Sequence, residues 1–467
     1  MKSTAPIRTI LLLGLICGGC MVGPDYKPPH AATPPAWSGL SNAPAAGASA
    51  ATPAPAELAG WWKKFNDPML VSLVTEAFRT NLDLQLAEAQ LRQARANRGV
   101  VGGPFWPGLT ANGSYARGAT GTAPSRNLFT AGGLDAAWEL DFFGATRRNI
   151  ESADAGILAA RENVHDVQVT LAAEIALNYI QLRAAQEQID IARENLKSEE
   201  ATAVLTRKRL AAGFVSALDE ANAEAQVATT AATIPVLETT VRQSIYSLSV
   251  LLARPPADLV EQLSRPGPVP LTPPEVPVGL PSDLLRRRPD IREAEAQLHA
   301  AMAQIGVAKA AYFPQFSLTG SVDYQSDMLR TLFAGPSRFW TAGPSVTWPI
   351  FQGGALTAKV RVQQALSDQA YITYQKTVLT ALQDVENQLV AFAKEWDHRK
   401  ALNEAVVQNR KAVDLSTQLY TEGTSDFLSV LDAERSLYAS ENALSQSKAS
   451  ISTDLVALYK ALGGGWE

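Results

Sequence analysis

A formal net charge of −5 over 467 residues leaves no basic patch of the kind nucleic acid requires. The four histidines (His30, His165, His299, His398) are scattered, with no pair at metal-ligand spacing. Both cysteines, Cys17 and Cys20, fall in the first 20 residues, so the remainder has neither a disulfide framework nor thiol chemistry. With no phosphate-binding glycine loop, no Gly-x-Ser-x-Gly and no His-Glu-x-x-His, no enzymatic activity is expected.

In chain order, residues 1–19 read as a signal peptide: Lys2 and Arg8, then the apolar run Ile10–Ile16, then small residues. The run is too short for a bilayer anchor, which needs ~20 apolar residues. Gly18-Gly19-Cys20 resembles a bacterial lipobox, with Cys17 where Leu, Val or Ile is usual. That resemblance implies an acylated Cys20 at the mature N-terminus, and an ordinary cleaved signal is the alternative. A single acyl chain binds a membrane marginally, so multiple acylation is the physically sensible anchor. Val22 is not the acidic residue that retains such lipoproteins in the inner membrane, which implies an outer-membrane destination. The Pro/Ala-rich segment that follows lacks apolar periodicity, and residues 20–60 read as a lipidated tether.

Beyond it the chain is duplicated. Ala87–Leu91 recurs as Ala294–Leu298, an offset of 294 − 87 = 207 shared by Asp83/Asp290, Pro107/Pro314 and Gly113/Gly320. After a loop the offset becomes 348 − 138 = 210, as in Trp138/Trp348, Gly144/Gly354, Gly213/Gly423 and Leu218/Leu428. A unit this long is not a solenoid repeat of roughly 20–50 residues. The halves are 61–265 and 283–467, joined by a connector at 266–282 rich in proline.

Each half predicts a helix, two alternating strands, a very long helix, a glycine turn and a returning helix. The alternating faces are Leu109/Ala111/Gly113/Tyr115, Leu134/Ala136/Trp138/Leu140/Phe142, Phe316/Leu318/Gly320/Val322/Tyr324 and Trp340/Ala342/Val346/Trp348/Ile350. Runs of about ten residues with aromatics near their ends suit tilted membrane strands; half-buried soluble hairpins are the alternative. Four strands cannot close a barrel in lipid, because an open edge leaves backbone groups unpaired. Three copies would supply twelve. Gly144 to Gly213 contains no proline and one internal glycine, and Gly354 to Gly423 contains neither. Roughly 68 helical residues at ~1.5 Å each reach about 100 Å, the range of coiled coils. Gly213 and Gly423 suit left-handed caps. The returning helices are expected near 218–253 and 427–462.

Several blocks together resemble the outer membrane factor family of TolC/OprM-type channels. They are Cys20-Met-Val-Gly-Pro-Asp-Tyr26, Trp61-Trp62-x-x-Phe65-x-Asp67-Pro68-x-Leu70, Arg287-Arg288-Pro289-Asp290-Ile291-Arg292-Glu293-Ala294-Glu295 with Ile305-Gly306-Val307-Ala308, and Tyr459 to Trp466. The resemblance covers nearly all of the chain after Cys20. It implies an α+β membrane protein: a homotrimer with a twelve-stranded outer-membrane barrel, four strands per chain, and a coiled-coil periplasmic tunnel. It also implies a periplasmic adaptor (a membrane fusion protein), an inner-membrane pump of the resistance-nodulation-division (RND) type, and no cofactor beyond the lipid on Cys20. By the same resemblance, Asp432 rings the periplasmic entrance with Leu428 one turn below. Ser429 stands where some members carry a further aspartate. Gly213, Val215, Ser216, Gly423, Thr424 and Ser425 contact the adaptor. Glu434 and Arg435 are either gate partners or solvated charges. The bland alternatives are a solvated carboxylate for Asp432, core packing for Leu428 and plain turn chemistry for the tips. Trp61, Trp62, Pro289 and Asp290 are assigned to helix starts rather than transport. A type I secretion duct shares this architecture, and a lipid-anchored coiled-coil scaffold without a pore is a third reading.

Overall fold

A computed structural model describes residues 21–39, 50–52, 58–118, 126–270 and 275–466, so the signal segment and Cys20 lie outside the described residues. In the first half, α1 (Pro68–Thr80) and α2 (Leu82–Gly102) precede β1 (Gly108–Gly118), β2 (Arg126–Leu140), α3 (Ala145–Ala211) and α4 (Ala217–Leu251). In the second, α5 (Pro289–Ala310) is followed by β3 (Gln315–Ser326), β4 (Arg338–Thr347), α6 (Ala355–Glu422) and α7 (Phe427–Ala461). The glycine-bounded stretches are helices of 67 and 68 residues. Where one helix is expected before the first hairpin there are two, because Asn81 interrupts the path. Its side chain accepts from the Leu84 amide at 2.9 Å and donates to the Leu251 carbonyl at 2.9 Å. No described helix is long and apolar enough to cross a membrane.

Two compact units are formed. The first gathers the chain up to Ala31 with Ala89–Glu162 and Arg292–Lys376. Its antiparallel sheet has the order β1-β2-β3-β4, so β1 and β4 are edges. Register shifts fall between Ala111 and Gly113 and between Gly132 and Leu134. At the second, a Cβ on Gly133 would lie 1.5 Å from the Val322 carbonyl oxygen, so only glycine fits. Leu109, Tyr115, Leu134, Leu318, Val322, Trp340 and Val346 from the predicted apolar faces are all exposed. Pro344 lies on the edge strand β4, where proline is tolerated. β4 stops at Thr347, short of the expected Trp348 and Ile350. Trp348 instead donates its indole N–H to the Tyr312 carbonyl at 3.0 Å, as its counterpart Trp138 does to Phe105 at 3.0 Å.

The segment after Cys20 is extended, as its composition suggests, but bound rather than free. The Val22 amide donates to the Phe143 carbonyl at 3.1 Å. Arg148, whose side chain is 1% exposed, donates to the Val22 carbonyl and pairs with Asp25 and Glu151, each at 2.7 Å. Gly23, at φ +105°, leaves no room for a side chain: a Cβ would stand 2.5 Å from Gly306 Cα. Tyr26 stacks on His299 at 4.1 Å and donates to Glu295 at 3.0 Å. The Gly-Pro-Asp-Tyr sequence is thus a strap seated on residues from both halves of the duplication.

The second unit holds Ala32–Glu88, Asn163–Ile291 and Thr377–Glu467. Trp61, Trp62 and Phe65 are buried, Trp61 stacking on Tyr459 at 5.2 Å and meeting Trp62 edge-on. Asp67 caps α1, accepting from Met69 and Leu70, with Pro68 at the first helical position. Arg288 pairs with Asp290 at 2.7 Å and donates to the Ala461 carbonyl at 3.0 Å, which fixes the start of α5. Both tryptophans and the Pro289-Asp290 turn therefore work at helix starts. Trp37 is buried and donates to the Gly279 carbonyl at 3.0 Å. The short strands Ala50–Thr52 and Glu275–Pro277 pair in parallel.

Candidate functional site at the helical tips

Two tips close the long helices of the second unit in the same way. Gly213 and Gly423 are left-handed, at φ +81° and +77°. The Gly213 amide donates to the Leu210 carbonyl and Phe214 to Arg209, each at 2.9 Å; Gly423 donates to Tyr420 and Thr424 to Leu419, each at 3.0 Å. These paired bonds satisfy carbonyls that a helix end otherwise leaves open.

The returning helices are capped by one hydrogen-bonded pair with its members exchanged. Ser216 caps α4 and Asp219 reaches back to the Ser216 amide at 2.9 Å, forming a capping box. At the equivalent positions of α7, Asp426 is the cap and Ser429 the partner, its amide donating at 3.1 Å and its hydroxyl at 2.8 Å. These two bonds from Ser429 hold the Asp426 carboxyl below the usual aspartate range. Ser429 therefore serves the cap, which gives the missing aspartate a local reason.

The first turns of α7 divide into two faces. Phe427, Val430 and Leu431 are buried in a cluster with Ala203, Ala223 and Tyr420, against which Val215 also packs. Leu428 and Asp432, one turn apart, are exposed on the other face, Leu428 at 53%. Leu428 is therefore not core of its own chain. Gly213, Ser216, Gly423 and Thr424 are exposed, while Val215 and Ser425 are half-buried. Phe214 and Leu218, 74% and 67% exposed, add apolar surface at the first tip that turn chemistry alone does not identify.

Glu434 is buried whereas Arg435 is exposed, and the two bond to different partners. Glu434 is 5% exposed and accepts from Thr202 at 2.8 Å; Arg435 donates to Gln226 at 2.8 Å. Gln226 and Thr230 in turn donate to Glu199, at 2.9 and 3.0 Å. Sequence reasoning missed Glu199, Thr202 and Gln226, which lie in long helices where polar residues are frequent.

A four-stranded sheet with two free edges cannot stand in lipid as a monomer, and with helices of this length it defines a subunit of an outer-membrane channel. The chain belongs to the outer membrane efflux protein family, which matches residues 73–254 and 280–464, one match in each half of the duplication. Nodulation protein T of Rhizobium leguminosarum bv. trifolii is 33% identical, covering 100% of this chain and 97% of that protein. The toluene efflux pump outer membrane protein TtgC of Pseudomonas putida is 34% identical over 99% of this chain and 96% of its own length. Among solved structures, the outer-membrane channel OprN superposes with a TM-score of 0.88 at 35% identity, covering 96% of this chain and all of the other. The fold class is accordingly that of the family: a trimeric twelve-stranded outer-membrane barrel, four strands per chain, with a long α-helical coiled-coil periplasmic tunnel. The family is one of channels, not of enzymes.

Proposed function

We propose that this chain is the outer-membrane channel of a tripartite efflux pump, a passive gated conduit for small toxic compounds. The sheet with two unpaired edges carries this reading, because it demands a closed assembly around a pore. The cargo arrives from an inner-membrane RND pump through a periplasmic adaptor, and the channel supplies no energy of its own. The halves 61–265 and 283–467 each contribute a hairpin and a helix pair, with 266–282 linking them. Leu428 and Asp432 form stacked rings at the periplasmic entrance, supported by their shared exposed face. Gly213, Val215, Ser216, Gly423, Thr424 and Ser425 meet the adaptor, supported by the matching closure of the two tips. Cys20 carries the lipid, supported by the bound strap whose first hydrogen bond, at Val22, lies two residues later.

The toluene efflux relative favours efflux over protein secretion. Deletion of the gene should raise susceptibility to small apolar toxicants and leave protein secretion intact, and the purified trimer should conduct in planar bilayers. Unchanged susceptibility with loss of a secreted protein would instead make it a secretion duct. Absence of both trimer and conductance would leave only a scaffold.

A further inference from the structure

On α7, Phe427, Val430, Leu431 and Glu434 follow the i, i+3, i+4, i+7 spacing of a buried helix face, and all four are buried. The last member of that apolar series is a carboxylate. Its counterpart in the other half, Glu224, pairs with Arg207 on an exposed flank. Opposite Glu434 on α3 is a second buried carboxylate, Glu199, at 3% exposure. One Glu199 oxygen accepts from Gln226 and Thr230 of α4, and the other has no hydrogen-bond partner. Arg435 donates to Gln226, the residue that in turn donates to Glu199. Two buried carboxyls thus lie among α3, α4 and α7, and the exposed Arg435 reaches them only through Gln226. With both ionised the site buries two negative charges with no cation among the described residues in contact with either, and an added proton removes one of them.

We propose that Glu199 and Glu434 share a proton that holds the first turns of α7 against α3 and α4, so that closed packing takes up a proton which opening releases. This rests on the reading of the chain as a gated channel. Burial raises the affinity of both carboxyls for protons, and Glu199 adds to the effect at Glu434. A packed state that binds more protons than the opened one is fully stabilised below the ordinary glutamate range and loses that stabilisation as pH rises through the raised values.

The other titratable and charged groups near the site are accounted for. Arg207 is occupied with Glu220 and Glu224 on the outer flank, and Arg410 with Glu441 seven residues further along α7. From α6, Tyr420 contributes a phenol that donates to Thr206, and Arg209 lies over its ring at 4.5 Å. Asp432 lies on the exposed face, away from the buried pair.

The test is single-channel recording of the purified trimer between acidic and mildly alkaline pH. The wild type and the variants Glu199→Gln, Glu434→Gln and Asp432→Asn are compared, glutamine being the shape of a protonated glutamate. One proton released on opening should raise the wild-type open-to-closed ratio by up to about tenfold per pH unit across the window. Glu434→Gln and Glu199→Gln should flatten that dependence and stay closed at high pH, whereas Asp432→Asn should keep it. A dependence that survives both glutamine variants, or disappears with Asp432→Asn, overturns the proposal, as does a wild type that conducts without one. A wild type that never conducts would fail the channel reading instead. If the glutamine variants do not assemble, hydrogen exchange of amides 428–435 in the wild-type trimer decides. Their protection, corrected for intrinsic exchange, should fall with rising pH, and protection independent of pH overturns the latch.

Discussion

Arg148 shows how one buried residue determines what the segment 22–26 does. Its guanidinium is spent on Asp25, Glu151 and the Val22 carbonyl, while glycines at 23 and 306 let the backbones approach around it. A proline- and alanine-rich composition signals absence of helix and strand, and does not distinguish a free segment from one held by another element. The seat comes from α3 and α5 residues more than 100 positions away, which no local pattern reveals. Replacing Arg148 with methionine keeps most of the side-chain volume and removes the charge. Hydrogen bonds to charged groups contribute roughly 1.5–3 kcal/mol each, and Asp25 can rehydrate, so the net loss should be about 2 kcal/mol. Hydrogen exchange should show the Val22 amide, which donates to Phe143, losing protection while the sheet retains its own. Unchanged protection would mean that the glycine packing alone seats the strap.

At the scale of elements, the duplication made most of the architecture legible. Glycine-bounded stretches became α3 and α6 because Gly213 and Gly423 adopt the left-handed geometry that ends them. Period-two alternation became β1–β4, and the equivalent tryptophans Trp138 and Trp348 make the same indole bond to the segment before the hairpin in both halves. The buried site was not legible, because Glu224 and Glu434 occupy equivalent positions and only packing decides that one is solvated and the other enclosed. The exchanged Ser/Asp caps show what duplication preserves: the hydrogen-bond geometry rather than residue identity. Ser216→Ala should therefore destabilise the first turn of α4 by ~1 kcal/mol, read as faster exchange of its leading amides. The double change Ser216→Asp with Asp219→Ser reproduces the arrangement of the second tip and should restore protection. Fraying as severe as in Ser216→Ala would show that the two tips need different caps.

In the proposed gate, single residues act only through the assembled trimer. An exposed leucine on one chain is an apolar spot; repeated by threefold symmetry around a mouth it becomes a constriction that disfavours water. Asp432, one turn away on the same face, becomes a ring of three carboxylates, and acidic rings select cations in known channels. The opposite face of α7 is fixed by Phe427, Val430 and Leu431, so opening of the proposed rings would require that packing to be exchanged for another. A docked adaptor can drive the exchange only through contacts that differ between the two states. Leu428→Ala should accordingly raise resting conductance and antibiotic entry without loss of trimer, since its side chain contributes little to the core of its own chain. Asp432→Ala should weaken block by divalent cations while leaving the apolar constriction intact. Planar-bilayer recording with and without a divalent cation separates the two effects. If both variants conduct and block as the parent does, the constriction lies elsewhere along the pore, and Leu428 and Asp432 face an adaptor rather than each other's copies.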